Sequence, residues 1–496
     1  MAESNRFIHE QPADRYQREF TLLSHLGFQS NVIVAASYEN TSKDDLSSKA
    51  LLYPALRKVV QRYPELAMVH FCRPSETKKG QHRRWLGFLR EINLDDHVRF
   101  LDVPAAAADG LDDGLIEQYH DIWFEDPEKP PWLFVVVNGK HALFVFDHII
   151  TDGRGATQVH DSLLKALNLG MGLDRDESPI VRVSPDDVPG FPEPDPIMRS
   201  GTSVSIPSAI WMFFIMIYIR LVYRFTDAFF HDAHVRPISK PLTFSHPNKE
   251  SHLVKTQTRT LRLKPATVKK CIDACRAHQT TFTSLLHTLV KVTLAADFYP
   301  TSRFSHSQVA LDIRPYLLPH ARAQTMSTAV SIVSSFDWLA RFREAGTATA
   351  AANADLLIWD IAREHRAHVV KDLNHTHLWR KAWLAVSLLG EDEEDYISQF
   401  LPGYKNSQQN CFSVSNLGAF APSHHHHSPL DGWTISNMEF SAGAIKAGYG
   451  VNLTFDVAGV AGGDTVIHVS AEEGSLRDGF VSSLLERIQK RLEAII

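Results

Sequence analysis

The chain has 496 residues, 44% hydrophobic, 10% aromatic and 22% charged, a folded composition with more length than one core fills, so two domains plus connecting material are expected. Fifty-one Lys and Arg stand against 57 Asp and Glu, a formal charge of -6, which leaves no basic footprint for nucleic acid. Cys72, Cys271, Cys275 and Cys411 form no CxxC pair, which argues against a disulfide framework and a cysteine-ligated zinc site.

The amino terminus, "MAESNRFIHEQPADRYQREF", lacks the apolar core of a secretory signal and the acid-poor character of a transit peptide, so a reducing, cytoplasmic setting is expected. "NVIVAASYE" (31–39) reads as a buried strand. Leu52, Ala55, Leu56, Val59, Val60 and Tyr63 then recur at i, i+3, i+4, i+7, predicting a helix with one face on a sheet. "WLFVVV" and "HALFVF" flank Asn138-Gly139, whose positive φ angles suit a tight hairpin. The second arm leads into a helix carrying Ala156, Val159, Leu163 and Leu167 on one face.

Between residues 170 and 255 the texture changes. "DESPIVRVSPDDVPGFPEPDP" is proline-rich and acidic and reads as a linker. An apolar run follows from Ala209 to Ile219, too short to span a bilayer, which takes roughly 20 such residues. Beyond it, Arg220, Arg224, Asp227 and His231 recur at helical spacing as one polar stripe. The segment 208–231 therefore reads as a helix packed across a domain seam, or as a peripheral contact to a lipid surface such as the ER membrane or a lipid droplet.

Regular patterning resumes with "TRTLRL" and two helices, "KPATVKKCIDACRAHQ" and "TTFTSLLHTLVKVTLAA", with proline and threonine near their starts. Cys271 and Cys275, one turn apart, read as buried small hydrophobes. "SHSQVALDIRPYLL" predicts a strand ended by Pro315, "LLIWDIAREHRAHVV" a helix, and "GFVSSLLERIQKRLEAI" a terminal amphipathic helix. Strands and helices interleave in both halves, so the expected architecture is two α/β lobes, 1–169 and 256–496, joined by the connection 170–255.

The chemistry concentrates in "HALFVFDHIITDGRGATQVH". His148 falls just past a strand, where its backbone is anchored and its imidazole is free to take a proton from a nucleophile and return it to a leaving group. Asp152 sits where it can cap the next helix or orient His148, and Gly153 suits a tight turn. HxxxDG is a weak pattern alone, matched equally by a solvent-facing histidine beside a helix cap. The strand, loop and helix around it raise its weight.

In combination, "LLYPALRKVVQRYPEL", "FDHIITDGRGATQVHDSLLKALN", "ALDIRPYLLP" and "FSVSNLG" resemble, in this order, the HxxxDG acyltransferases. Within them the sequence is similar to the fungal alcohol O-acetyltransferase branch, related to plant BAHD acyltransferases and to condensation domains. The resemblance implies two chloramphenicol-acetyltransferase-like lobes, each a mixed sheet with helices, and an active-site tunnel between them. It implies that His148 is the general base acting on an acceptor that attacks an acyl-CoA thioester. It also implies that Asp152 points away from substrate and pairs with Arg314, holding the loop. Ser415, Asn416 and Gly418 of "SNLG" fall at a loop near the tunnel, as an oxyanion site or a structural turn. Many relatives carry two histidines in a row where this chain has Asp147-His148. A carboxylate there would favour imidazolium, unless Asp147 is a surface acid at a strand end.

His424–His427 form a run that reads as a solvated loop rather than a metal site. "GAIKAGYG" lacks the strand, turn and helix that phosphate binding needs. The expectation is a monomeric, metal-free acyl-CoA-dependent O-acyltransferase with no bound cofactor, probing a small, fairly apolar hydroxyl compound. N-acylation, a carrier-protein donor, donor-free cyclisation or rearrangement, and a non-catalytic binding module are its competitors.

Overall fold

The first half runs β1 (Phe7–Pro12), α1 (Arg15–His25), β2 (Val32–Glu39), α2 (Lys49–Arg62), β3 (Met68–Pro74), β4 (His82–Leu89), β5 (Glu91–Asn93), α3 (Leu94–His97) and β6 (Val98–Leu101). It continues with α4 (Asp113–His120), β7 (Trp132–Val137), β8 (His141–Phe146), α5 (Gly153–Leu169) and β9 (Ile180–Arg182). The second half holds β10 (Thr256–Leu263), α6 (Pro265–Ala277), α7 (Phe282–Thr293), β11 (Phe304–Asp312), β12 (Val330–Trp338), α8 (Ala340–Thr347) and α9 (Ala352–Lys371). After these come β13 (Cys411–Phe420), β14 (Thr434–Ala442), β15 (Leu453–Val460), β16 (Thr465–Glu472) and α10 (Phe480–Ile495). The computed structural model describes residues 6–40, 45–104, 111–124, 126–169, 177–183, scattered helical positions in 207–222, 226–236, 253–317, 326–347, 352–376, 392–395, 411–422 and 432–496.

The first lobe is built on a five-stranded sheet, β14-β2-β8-β7-β6. Its strands are near-continuous apolar runs because both faces are covered. Val34, Ala36, Phe134 and Phe144 pack beneath α2 and α5, while Ile33, Ala35, Val135 and Leu143 pack against Leu115, Ile116 and Tyr119 of α4. The β7–β8 hairpin turns on Asn138 (φ 51) and Gly139 (φ 63), the two positive angles its sequence demands. The predicted face of α5 is buried, Ala156, Val159, Leu163 and Leu167 alike.

The second lobe centres on a six-stranded sheet, β10-β16-β15-β13-β11-β12. Helices α6, α7, α9 and α10 cover one face of it through Cys271, Cys275, Leu285, Leu289, Ile358 and Leu484. Both cysteines are buried. The two lobes share chain: β14, from the second half, pairs antiparallel with β2 in the first lobe's sheet, Met438 opposite Ala36. That crossing strand fixes the seam from one side.

Two readings of the connection change. Three residues of the proline-rich stretch form β9, which pairs antiparallel with β5. In the apolar helix, Ile210, Trp211, Phe213, Phe214, Ile217, Tyr218 and Leu221 are 39 to 63% exposed, so packing across a domain seam does not describe them. Phe229 and Phe230, just beyond, are buried in the second lobe's core. Asp227 and His231 lie past the helix, and Arg220 and Arg224 lie outside the described residues.

Candidate active site

The loop carrying His148 is anchored before and after it. Strand β8 is buried along its whole length. Its ladder continues one step as the Asp147 amide donates to the Pro131 carbonyl at 2.9 Å. Asp147 Oδ1 then accepts from the Ile149 amide at 3.0 Å, closing a turn, and Ile149 and Ile150 drive into the first lobe's core. On the far side the Thr151 hydroxyl donates to the Met326 carbonyl of the other lobe's loop. His148 is left at the apex, with its own carbonyl accepting from Thr328 Oγ1 at 3.1 Å.

Asp152 is saturated with donors. Its Oδ1 accepts from the Gly155 amide at 2.9 Å, capping α5, and from Arg314 Nη2 at 3.0 Å. Oδ2 accepts from the Ala329 amide at 2.7 Å. Burial opposes ionisation of this carboxyl, but the Arg314 charge and these hydrogen bonds overcome it, holding its pKa below the usual aspartate range. Arg314 is tied in turn to Asp312 Oδ1 at 3.1 Å and the Ser327 carbonyl at 2.6 Å. The carboxylate thus caps a helix and bridges two lobes at once. It makes no hydrogen bond to His148, so orienting that ring is not its work.

The ring is oriented by stacking instead. Phe20 of α1 lies parallel to the His148 imidazole, centroids 4.0 Å apart and planes 10° apart. Asp14 and Gln17 cap α1 reciprocally, at 2.7 and 2.9 Å, which sets the height at which Phe20 is presented. Burial pushes the His148 pKa below its ordinary 6.5, partly countered by the Asp152 charge and by the nearby backbone of His148 and Thr151. Nδ1 is buried without a hydrogen bond of good geometry. Nε2 has no protein partner among the described residues, and His148 lines the cavity.

This corrects the expectation for Asp147. It is buried at 2% exposure rather than a surface acid, and its carboxylate serves the Ile149 amide. Burial has the largest influence on His148 and lowers its pKa, and Asp147 does not offset it.

The cavity in front of the ring has a volume of about 810 Å³ and takes walls from both lobes. Gly153 is the first residue of α5, and its role is close packing rather than a tight turn. A Cβ there would lie 2.8 Å from Leu417 Cδ2 and 3.1 Å from Phe440 Cε2. Gly155 is stricter still, since its Cβ would lie 1.8 Å from Thr151 Oγ1 and 3.0 Å from the Met326 carbonyl.

Ser415, Asn416 and Gly418 also line the cavity. The Gly418 amide (φ 77) donates to Asn416 Oδ1 at 2.8 Å, and Asn416 Nδ2 donates to Thr283 Oγ1 at 2.9 Å. Those groups are occupied in holding a bulge at the end of β13, where the register with β15 shifts. Of the three residues, this leaves the Ser415 hydroxyl as the group best free to meet a ligand.

Several lining residues escape sequence reasoning. Glu19 and Phe20 project from α1, and Asp456 from β15. The glycine-rich "GAIKAGYG", set aside as a phosphate loop, forms a cavity wall through Gly443, Ile445, Tyr449 and Gly450. It is pinned by Glu472, which accepts from Lys446 Nζ at 3.1 Å and the Ala447 amide at 2.7 Å, all buried. The signals were there: Glu19 stands at i-3, i-4 and i-7 from buried Leu22, Leu23 and Leu26, and Asp456 interrupts a mostly apolar strand that is buried from Leu453 to Gly459. An acid on an apolar stripe asks for a reason. His424–His427 lie outside the described residues, and among the described residues no His, Cys, Asp and Glu group could hold a metal ion.

Residues 114–470 match the family model described as alcohol acetyltransferase. An uncharacterized protein of Schizosaccharomyces pombe is 27% identical over 167 residues, 33% of this chain and 34% of that protein, so the chain spans about a third of the curated relative it matches. Among solved structures, the trichothecene 15-O-acetyltransferase TRI3 of Fusarium sporotrichioides superposes with a TM-score of 0.69 at 10% identity, covering 100% of this chain and 99% of that one. The first condensation domain of the CDA synthetase gives 0.56 at 12% identity, covering 98% and 96%. The epimerization domain from the third module of tyrocidine synthetase B gives 0.54 at 13% identity, covering 99% and 98%. At such identities these structures speak for the two-lobed α/β fold alone, while the family match covers most of the sequence, and the chain belongs to the alcohol acetyltransferase family.

Proposed function

We propose that this protein transfers an acyl group, acetyl in the simplest case, from acyl-CoA to a hydroxyl of a small, fairly apolar metabolite, with His148 as general base. The observation that carries the proposal is an imidazole stacked on Phe20, its pKa lowered by burial, that lines a cavity between two lobes. Nε2 takes the hydroxyl proton as the oxygen attacks the thioester carbonyl carbon. The tetrahedral intermediate carries its negative charge on the former carbonyl oxygen, within the wall that Ser415 lines. Collapse breaks the C–S bond, and the departing thiolate takes the proton back from the imidazolium, leaving an ester and free CoA. General base catalysis of this kind contributes about 10²- to 10⁴-fold. Asp152 and Arg314 keep the loop in register across the seam.

An amine is served by the same base, so N-acylation is a variant of this reading. The fold shared with an epimerization domain supports a second reading, rearrangement or cyclisation without an acyl donor. Screening acyl-CoA donors against pooled alcohols and amines separates them by product mass. Thiol release that depends on an alcohol, with product heavier by one acyl group, is the expected result. A product of unchanged mass formed without acyl-CoA favours the second reading, and ligand binding without turnover would reduce the chain to a binding module.

The exposed apolar residues at the described helical positions of 207–222 fit a lipid surface. They include Trp211, Phe213, Phe214 and Tyr218, and the sequence from 207 to 226 holds Arg220 and Arg224 with no acid. Aromatic side chains favour the headgroup boundary, and arginines complement anionic lipid. Flotation with phosphatidylserine vesicles is expected for the protein and not for a Trp211→Ser, Phe214→Ser variant. Equal flotation of both would contradict this placement.

A further inference from the structure

The charged groups lining the cavity divide into two sets. Asp152, Asp312, Arg314 and Arg154 form one cluster, with Arg314 joined to Asp152 at 3.0 Å and to Asp312 at 3.1 Å, and Arg154 at 3.9 Å from Asp312. Glu19 and Asp456 stand apart from it. Glu19 makes no hydrogen bond or ion pair among the described residues, and burial pushes its carboxyl up to about 7. Asp456 is fully buried: its Oδ2 accepts from the Ala442 amide at 2.7 Å, and its Oδ1 has no partner. Both line the same cavity, one from each lobe. Glu19 immediately precedes Phe20, the residue stacked on His148, and its charge is felt by Tyr449 on the cavity wall.

The Asp456 Oδ1, kept from water with nothing to bond to, costs stability, and Glu19, half-buried, brings a second carboxyl without a partner among the described residues to the same cavity. Structural carboxyls in this seam do not look like that; Asp152 has three donors. We propose that Glu19, with Asp456 facing the same cavity, selects an acceptor that carries a second hydrogen-bond donor, a hydroxyl or an amine, besides the hydroxyl that reacts. This rests on the acyl-transfer reading of the site. A site built to bond a substrate donor discriminates against the analogue lacking it, because its own polar groups are then left unpaired. The phosphates of an acyl-CoA donor are anionic and gain nothing beside a carboxyl without a cation, so the Glu19 end of the cavity belongs to the acceptor.

The test uses the full chain and an eight-carbon series: octan-1-ol, the octanediols from 1,2 to 1,8, and 8-aminooctan-1-ol. Each is assayed for thiol release at saturating acetyl-CoA, and for equilibrium binding by calorimetry without acetyl-CoA. In the wild type at least one diol or the amino alcohol should exceed octan-1-ol in kcat/KM by about 10-fold. Glu19→Leu should bring that ratio below about 2-fold through the acceptor KM, and Glu19→Gln should keep part of the diol preference while losing the amine preference. A merely structural Glu19 would leave the ratio unmoved, which overturns the proposal. So does a wild type without preference, or a Glu19→Leu defect confined to the KM of acetyl-CoA. Should Glu19→Leu not fold, Glu19→Gln decides by the same ratio. Glu19-dependent diol binding with no thiol release would keep this inference and overturn acyl transfer. Thiol release without a Glu19-dependent preference would do the reverse.

Discussion

Asp152 and Glu19 are carboxyls that line one cavity, and their surroundings make them opposites. Asp152 collects an arginine and two amides and is held ionised. Glu19 collects nothing and is pushed up to about 7 by burial alone. Desolvation raises both, and only Asp152 has donors and a cation to oppose it. A satisfied carboxylate holds loops together, and an unsatisfied one waits for a ligand. His148 sits between these regimes, half-buried, its pKa lowered by desolvation and partly restored by the Asp152 charge.

The largest expected effect of breaking this contrast falls on His148 itself. His148→Ala should lower alcohol-dependent thiol release by about 10²- to 10⁴-fold while circular dichroism stays native. Next comes the satisfied carboxylate. Arg314→Ala leaves Asp152 buried and unpaired in charge, which should cost about 3–5 kcal/mol in denaturant unfolding. An unchanged midpoint would mean that the ion pair does not bind the lobes.

A smaller loss is expected from Gly155→Ala, about 1–3 kcal/mol, because Thr151 must give way at the turn after His148. The smallest effect sharpens the other side of the comparison. Glu19 has a folded pKa above its unfolded one, so the folded state binds more protons between them, and stability falls as pH rises from about 4.5 to about 7. Glu65 is raised to about 7 in the same way, so the wild-type curve carries both. Thermal unfolding of Glu19→Gln should show a shallower fall over that window, with Glu65 still contributing. Curves that run parallel would show that Glu19 titrates normally.

Much of this was legible in the sequence where burial was uniform. Strands such as "VIVAASY" and "HALFVF" are apolar throughout because both sheet faces are covered, and the Asn138-Gly139 turn between arms admits few alternatives. Position 152 was readable as a cap from the chain around it, and the Arg314 pairing only through the family resemblance. What the sequence hid depends on long-range pairing. Strand β14 reads "TISNMEFSA", and its polar residues look like a loop. In the fold, Glu439 is buried, bonded to Arg262 at 2.6 Å and His468 at 2.9 Å. Burial opposes its ionisation, but His468 and Arg262 bring its pKa down to about 2. No local pattern announces partners 177 and 29 residues away. Phe20 was invisible for the same reason, since nothing near residue 20 points to residue 148.

The pH dependence of kcat/KM for acetyl transfer tests the central claim most directly. His148 acting as base, with its pKa lowered, predicts an acid limb centred below 6.5, the ordinary histidine value, with activity retained at pH 7. A limb centred above 6.5, or the same limb persisting in His148→Gln, would contradict it.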